Sequence, residues 1–248
     1  MSARPRQPSG ATGDSSERVE GGSQPATFHL VAAQVHGGFH LRPAAGPPAG
    51  LLVGFHGYGE SATANLDALA RIPGSERWCL AAVEALHQFY DRKTGEVVRS
   101  WMTRWEREQA IRDNVAYVAS AVAAARKEAG EPLLLVYAGF SQGTAMAWRA
   151  AARAGHTVDG LIILAGDLPP DLDASDAAPL PSVLLGRGRA DSWYDEAKME
   201  RDLVRLAGWR IEVSTVVFDG GHEWGRPFLV ACGELLNRIA EQHGGPER

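Results

Sequence analysis

Cysteine is scarce in this chain, with two in 248 residues. Both Cys79 and Cys232 lie in apolar periodic segments, which excludes a disulfide-knit scaffold and reads as a pair of buried free thiols. An excess of basic charge is also missing: 25 Lys and Arg face 30 Asp and Glu, for a formal net charge of -5 and an isoelectric point near 5.9. That balance argues against a nucleic-acid partner and against attraction to anionic membranes. No run reaches the ~18 apolar residues of a membrane span, and the basic start Met1-Ser2-Ala3-Arg4-Pro5-Arg6 is not followed by the apolar stretch of an export signal. No stable membrane insertion is expected, and a cytoplasmic location is. No internal repeat or second domain is apparent.

Hydrophobic residues make up 45% of the chain, enough for the core of one large domain. Residues 1–25 are rich in Ser, Gly, Pro, Arg and Glu without apolar periodicity, so they are expected to form a disordered tail ahead of a single domain over 26–248. Phe28 to Val35 and Gly38 to Arg42 read as two strands at an antiparallel edge. From Leu51 the pattern alternates. Strands are expected at Leu51–Phe55, Trp78–Val83, Leu133–Tyr137, Leu161–Leu164, Val183–Gly186 and Ile211–Phe218. Helices are expected over Asn65–Ile72, Glu106–Glu128, Tyr194–Leu206 and a last stripe carrying Phe228, Cys232, Leu235 and Ile239. Glu84 to about Arg104 reads as irregular. Short apolar strands separated by amphipathic helices imply an α/β fold, a mostly parallel twisted sheet with helices on both faces.

One stretch carries chemistry. Gly139-Phe140-Ser141-Gln142-Gly143 sits between a buried apolar strand and the helix-prone Thr144-Ala145-Met146-Ala147-Trp148. Gly-x-Ser-x-Gly in that setting is a nucleophile elbow, a sharp turn whose serine stands clear of the sheet in a strained backbone conformation. The strand-then-helix context lends the motif its weight, since only there does the hydroxyl meet a base and the N–H donors of a helix start.

Serine needs a base and the base a carboxylate. His222 follows the last strand in the glycine-flexed Asp219-Gly220-Gly221-His222, at the carboxyl end where open α/β sheets gather function. Asp191 follows the strand Val183–Gly186 across Arg187-Gly188-Arg189-Ala190, and the order Ser141, Asp191, His222 matches that of α/β-hydrolases. Asp191 has a competing role as cap of the following helix, and Asp167 is the reserve acid. For the oxyanion, Gln142 offers an N–H at a helix start. Tyr58, in His56-Gly57-Tyr58-Gly59 after the strand ending at Phe55, offers the second. His56 itself reads as scaffold. Trp101, Trp105, Trp193 and Tyr194 are either pocket lining or plain core. Arg187 and Arg189 read as a solvated loop rather than as receptors for an acidic substrate group.

Together, Phe55-His56-Gly57-Tyr58-Gly59, the elbow, Gly188-Arg189-Ala190-Asp191 and Gly221-His222 resemble the motifs of the phospholipase/carboxylesterase family of α/β-hydrolases, over roughly residues 50–242. That family includes acyl-protein thioesterases and small bacterial carboxylesterases. The resemblance implies hydrolysis of a small-molecule ester or thioester through an acyl-enzyme, without metal or cofactor. It also implies the same roles for Ser141, Asp191, His222, Tyr58 and Gln142. Acyl-chain length and oligomeric state are left open. The competing readings are a serine peptidase or dienelactone-type hydrolase on the same fold, or a binding module that has lost turnover.

Overall fold

The computed structural model describes residues 26–178 and 180–243. The chain divides into a unit ending at Gln34 and a second beginning at Val35. The described part of the first has no helix or strand, so the strand expected over Phe28–Val35 is not formed. Leu30, Val31 and Val35 are 58%, 86% and 63% exposed, and a run whose apolar side chains stay in water has no buried face to hold it in register. The tail expected over residues 1–25 lies outside the described residues.

Seven strands form one sheet in the order β1-β3-β2-β6-β7-β8-β9. They are β1 (Phe39–Arg42), β2 (Gly50–Phe55), β3 (Cys79–Val83), β6 (Leu134–Phe140), β7 (Gly160–Leu164), β8 (Val183–Gly188) and β9 (Val213–Phe218). Only β1 is antiparallel, pairing Phe39 with Val83 and Arg42 with Leu80; the other pairs are parallel. The expected antiparallel N-terminal edge is therefore present, as a single strand.

Alternation along the buried strands divides the core in two. Leu51, Val53, Phe55, Leu135 and Tyr137 face one side. There they meet Val118 and Val122 of α2 (Arg107–Glu128), Met146 and Ala150 of α3 (Gln142–Arg153), and Met199 and Leu206 of α4 (Glu196–Gly208). Leu52, Val136 and Ala138 face the other side, against Leu66 and Leu69 of α1 (Ala62–Ala70) and Phe228, Cys232, Leu235 and Ile239 of α5 (Arg226–His243). A sheet whose strands are buried on both faces must read as continuous apolar runs, and these do. Among the described residues, no helix is long and apolar enough to cross a membrane.

Two details depart from expectation. The segment read as irregular contains a hairpin, β4 (His87–Tyr90) and β5 (Val97–Ser100), in register from His87 with Ser100 to Tyr90 with Val97. Its turn is closed by Asp91 Oδ1, which accepts from the N–H groups of Lys93 and Thr94 at 2.8 and 2.9 Å, an Asx turn. The hairpin is tied to the loop after β2, where Gly59 N–H donates to the Arg99 carbonyl at 2.9 Å and Arg99 N–H donates to that of Glu60 at 3.0 Å. Helix α4 starts at Glu196 rather than near Tyr194, and its cap is Asp195, whose side chain accepts from Lys198 N–H at 2.9 Å.

Candidate active site

At the carboxyl end of β6 the chain reverses within one residue. Ser141 has φ 53° and ψ -121°, a left-handed conformation that disfavours any side chain. Its N–H donates to the Leu164 carbonyl at 3.0 Å, and its own carbonyl accepts from Thr144 N–H at 3.1 Å and Thr144 Oγ1 at 2.7 Å. The flanking glycines serve close approach. A Cβ on Gly143 would lie 2.0 Å from the Phe55 carbonyl oxygen, and one on Gly139 would lie 2.6 Å from the Thr144 Cα. The nearest atoms that a Cβ at Gly143 would meet are all backbone of Phe55 and His56, which cannot swing aside as a side chain can, so Gly143→Ala is expected to cost about 2–3 kcal/mol, read as a lower midpoint in urea unfolding.

The loops carrying Asp191 and His222 are held against each other. Arg189 N–H donates to the Phe218 carbonyl at 2.8 Å and Ala190 N–H to that of Gly220 at 2.9 Å. Gly188 makes the crossing possible, because a Cβ there would lie 2.2 Å from the Gly221 carbonyl oxygen. The Asp191 side chain is fully buried beside His222. Oδ2 accepts from His222 Nδ1 at 2.9 Å, and Oδ1 accepts from the N–H groups of Trp193 and Tyr194 at 2.8 and 3.0 Å. With the proton on Nδ1, a neutral His222 keeps its Nε2 lone pair available to take another. The ring lies against Phe140 at 4.9 Å between centroids. Asp167, the reserve acid, has its carboxylate 3.9 Å from Lys198 Nζ, and the His222 Nδ1 bond goes to Asp191 instead.

The loop after β2 is built around two side chains. His56 is fully buried; its Nε2 accepts from Ala85 N–H at 3.2 Å and its Nδ1 donates to the Gly57 carbonyl at 2.7 Å. Burial lowers its pKa, and a neutral ring committed at both nitrogens is scaffold. Glu60 Oε2 accepts from Gly57 N–H at 2.7 Å. The Tyr58 peptide is thus clamped between a Gly57 held by Glu60 and a Gly59 held by Arg99, while the Tyr58 ring is exposed and lies over Phe89 of the hairpin at 5.4 Å. Gln142 begins α3, so its backbone N–H has no acceptor within the helix. Its side chain braces the loop after β5: Oε1 accepts from Trp101 N–H at 2.9 Å and Nε2 donates to the Met102 carbonyl at 2.9 Å.

Glu60 is the member of the site that sequence reading missed. A Cβ placed on Gly57 would touch both the Glu60 carboxylate, at 3.1 Å, and Ser141 Cβ, at 3.3 Å, so a carboxylate lies next to the elbow. Burial raises the pKa of Glu60 above its ordinary value, against the opposing pull of Gly57 N–H and the His222 charge. A carboxyl with a raised folded-state pKa favours the fold at low pH and loses that contribution as pH rises through the folded value. Gln retains the acceptor for Gly57 without ionising. Glu60→Gln should therefore gain stability relative to wild type as pH rises upward from the ordinary value of 4.5. Urea unfolding at pH 4.5 and 7.5 checks this, and a difference independent of pH would refute it.

Ser141, Gln142 and His222 line one cleft, with a cavity volume of about 330 Å³. Of the four aromatics in question, Trp193 lines it, Trp101 and Tyr194 are core, and Trp105 is 66% exposed. Arg189 is exposed and pairs with Asp219 at 3.1 Å, whereas Arg187, expected in a solvated loop, is buried because it belongs to β8.

Comparison with known proteins agrees with this architecture. The chain is similar to esterase PE8 (21% identity over 83% of this chain and 100% of the other, TM-score 0.66). It is similar as well to the Bacillus cereus carboxylesterase (16%, 82% and 94%, 0.64) and to Arabidopsis thaliana SOBER1 (20%, 77% and 99%, 0.62). At these identities the likeness is one of fold. A search of curated protein sequences finds no match. The sequence profile of the phospholipase/carboxylesterase family matches residues 36–223, well over half of the chain. The chain accordingly belongs to that family and is a carboxylic ester hydrolase of α/β-hydrolase fold.

Proposed function

We propose that the chain is a cytoplasmic serine hydrolase that cleaves small-molecule carboxylic esters or thioesters through an acyl-enzyme, with Ser141 as nucleophile, His222 as base and Asp191 as its orienting acid. The observation that carries this reading is the 2.9 Å bond from His222 Nδ1 to a fully buried Asp191 carboxylate, in a cleft that His222 shares with Ser141. His222 Nε2 takes the Ser141 hydroxyl proton as Oγ bonds to the carbonyl carbon, and the carbonyl π pair moves onto oxygen. Asp191 stabilises the resulting imidazolium.

The oxyanion accepts hydrogen bonds from the backbone N–H groups of Gln142 and Tyr58, the first helped by the positive end of the α3 dipole. Collapse expels the alcohol or thiol, which leaves with the proton held by His222. Water then repeats the sequence on the acyl-enzyme, giving its proton to His222 and releasing the acid as Ser141 Oγ is reprotonated. A fluorophosphonate probe tests the reading: one label per chain, found at Ser141 by peptide mapping and blocked by ester substrate, is expected. An unlabelled or randomly labelled protein would overturn it.

A further inference from the structure

Along the α2 and α3 side of the cleft, guanidiniums outnumber the carboxylates they meet. Arg107 at the start of α2 and Arg149 and Arg153 on α3 converge on Asp171, in the segment after β7. Arg149, 1% exposed, donates from Nε and Nη2 to the two Asp171 oxygens at 3.1 and 2.7 Å. Arg153 donates to Asp171 Oδ2 at 3.1 Å and, through Nε and Nη2, to Asp176 at 2.8 Å each. Arg107 reaches Asp171 at 3.4 Å, the longest of these contacts, and its side chain is 39% exposed. Burial raises the Asp171 carboxyl, but the hydrogen bonds and charge of Arg149, with the charge of Arg107, outweigh it and hold the pKa at about 2; the hydrogen bond from Arg153 lowers that of Asp176, so both carboxylates stay ionised. Three guanidiniums against two carboxylates leave one positive charge, and the geometry puts it on Arg107.

That charge faces the reaction site, because Arg107 and Arg149 line the same cleft as Ser141 and His222. The third nitrogen of Arg149, Nη1, meets Met102 Sδ at 3.8 Å, and a thioether is a weak acceptor. A buried guanidinium nitrogen served only by sulfur gains from an oxyanion delivered into the cleft. Lys198 adds a further cation to the lining; it donates to the Trp193 carbonyl and lies 3.9 Å from Asp167, the one carboxylate on that lining. The cavity of about 330 Å³ is at the small end for ligand sites.

We infer that the substrate is a small ester or thioester carrying a carboxylate, which Arg107 and Nη1 of Arg149 receive while the reacting carbonyl sits at Ser141. The inference rests on the serine-hydrolase reading above. A carboxylate suits the single residual charge, and the planar guanidinium fork matches its two oxygens.

Two matched substrate pairs test it: p-nitrophenyl monoadipate against p-nitrophenyl hexanoate for the acyl side, and 4-acetoxybenzoate against 4-acetoxybenzamide for the alcohol side. Each enzymic kcat/KM is divided by the hydroxide-catalysed rate. At low salt the acidic member of at least one pair should be favoured by about tenfold, as for hydrogen bonds to a charged group. Arg107→Gln should bring that ratio towards one, and Asp167→Asn, which removes the opposing negative charge, should raise it. A ratio at or below one in both pairs, with the neutral esters turned over and Ser141 labelled, overturns the acidic-substrate inference alone. Absence of both turnover and labelling overturns the serine reading and this inference with it.

Discussion

Ser141→Ala is expected to lower kcat for an activated ester by on the order of 10⁶, since under the proposed mechanism it removes the nucleophile and leaves only binding and the oxyanion donors. The fold should survive, because the hydrogen bonds that hold the turn are made by the Ser141 backbone and by Thr144 rather than by the Ser141 hydroxyl. A second substitution at the same place separates chemistry from backbone strain. Alanine keeps a Cβ and therefore keeps the cost of φ 53°. Glycine removes it, at the expense of a more flexible unfolded chain. The net for Ser141→Gly is a gain of about 1 kcal/mol over Ser141→Ala, with both variants inactive. Thermal melts and steady-state rates of the two purified variants check this. Near wild-type turnover in either would remove Ser141 from the nucleophile role, and a glycine variant no more stable than the alanine one would mean that the turn stores no strain.

The elbow was legible in the sequence because one short motif fixes its geometry: the glycines at 139 and 143 have no room for a side chain, and the residue between strand and helix has nowhere to point but outward. The placement of Asp191 and His222 near each other was legible for a topological reason, since both follow parallel strands that end on the same side of the sheet. Glu60 was not legible, because its part depends on the loop after β2 folding back on itself and against the elbow, and pattern carries no such tertiary closure. The hairpin was missed because its strands are only four residues each: β4 is largely exposed, and the alternation of β5, which buries Val98 and Ser100, is too short to read as a period. The segment 28–35 failed in the opposite sense. It has apolar residues at strand-like spacing, yet period alone cannot say whether a buried face is available to receive them.

The competing roles offered for Asp191 separate in a second expected result. Helix α4 takes its cap from Asp195, so Asp191 has no helix start to hold; its Oδ1 closes a local turn on Trp193 and Tyr194, and its Oδ2 faces His222. Asn at 191 retains the Oδ1 acceptor and with it the turn. Its amide nitrogen then replaces Oδ2 and presents a donor to His222 Nδ1. Two donors cannot share that contact, so the imidazole must either move its proton to Nε2, where it can no longer accept one from Ser141, or leave its position. Either outcome also removes the charge that stabilises the imidazolium, and for a triad aspartate the loss is on the order of 10⁴ in kcat. Asp191→Asn should therefore lower kcat by about that factor with a melting temperature close to wild type. Asp195→Ala should do the reverse, costing about 1 kcal/mol of stability with kcat little changed. A fall in kcat of less than about tenfold for Asp191→Asn, with the 2.9 Å contact to His222 retained in its crystal structure, would show that the pair orients the ring without serving the proton transfer.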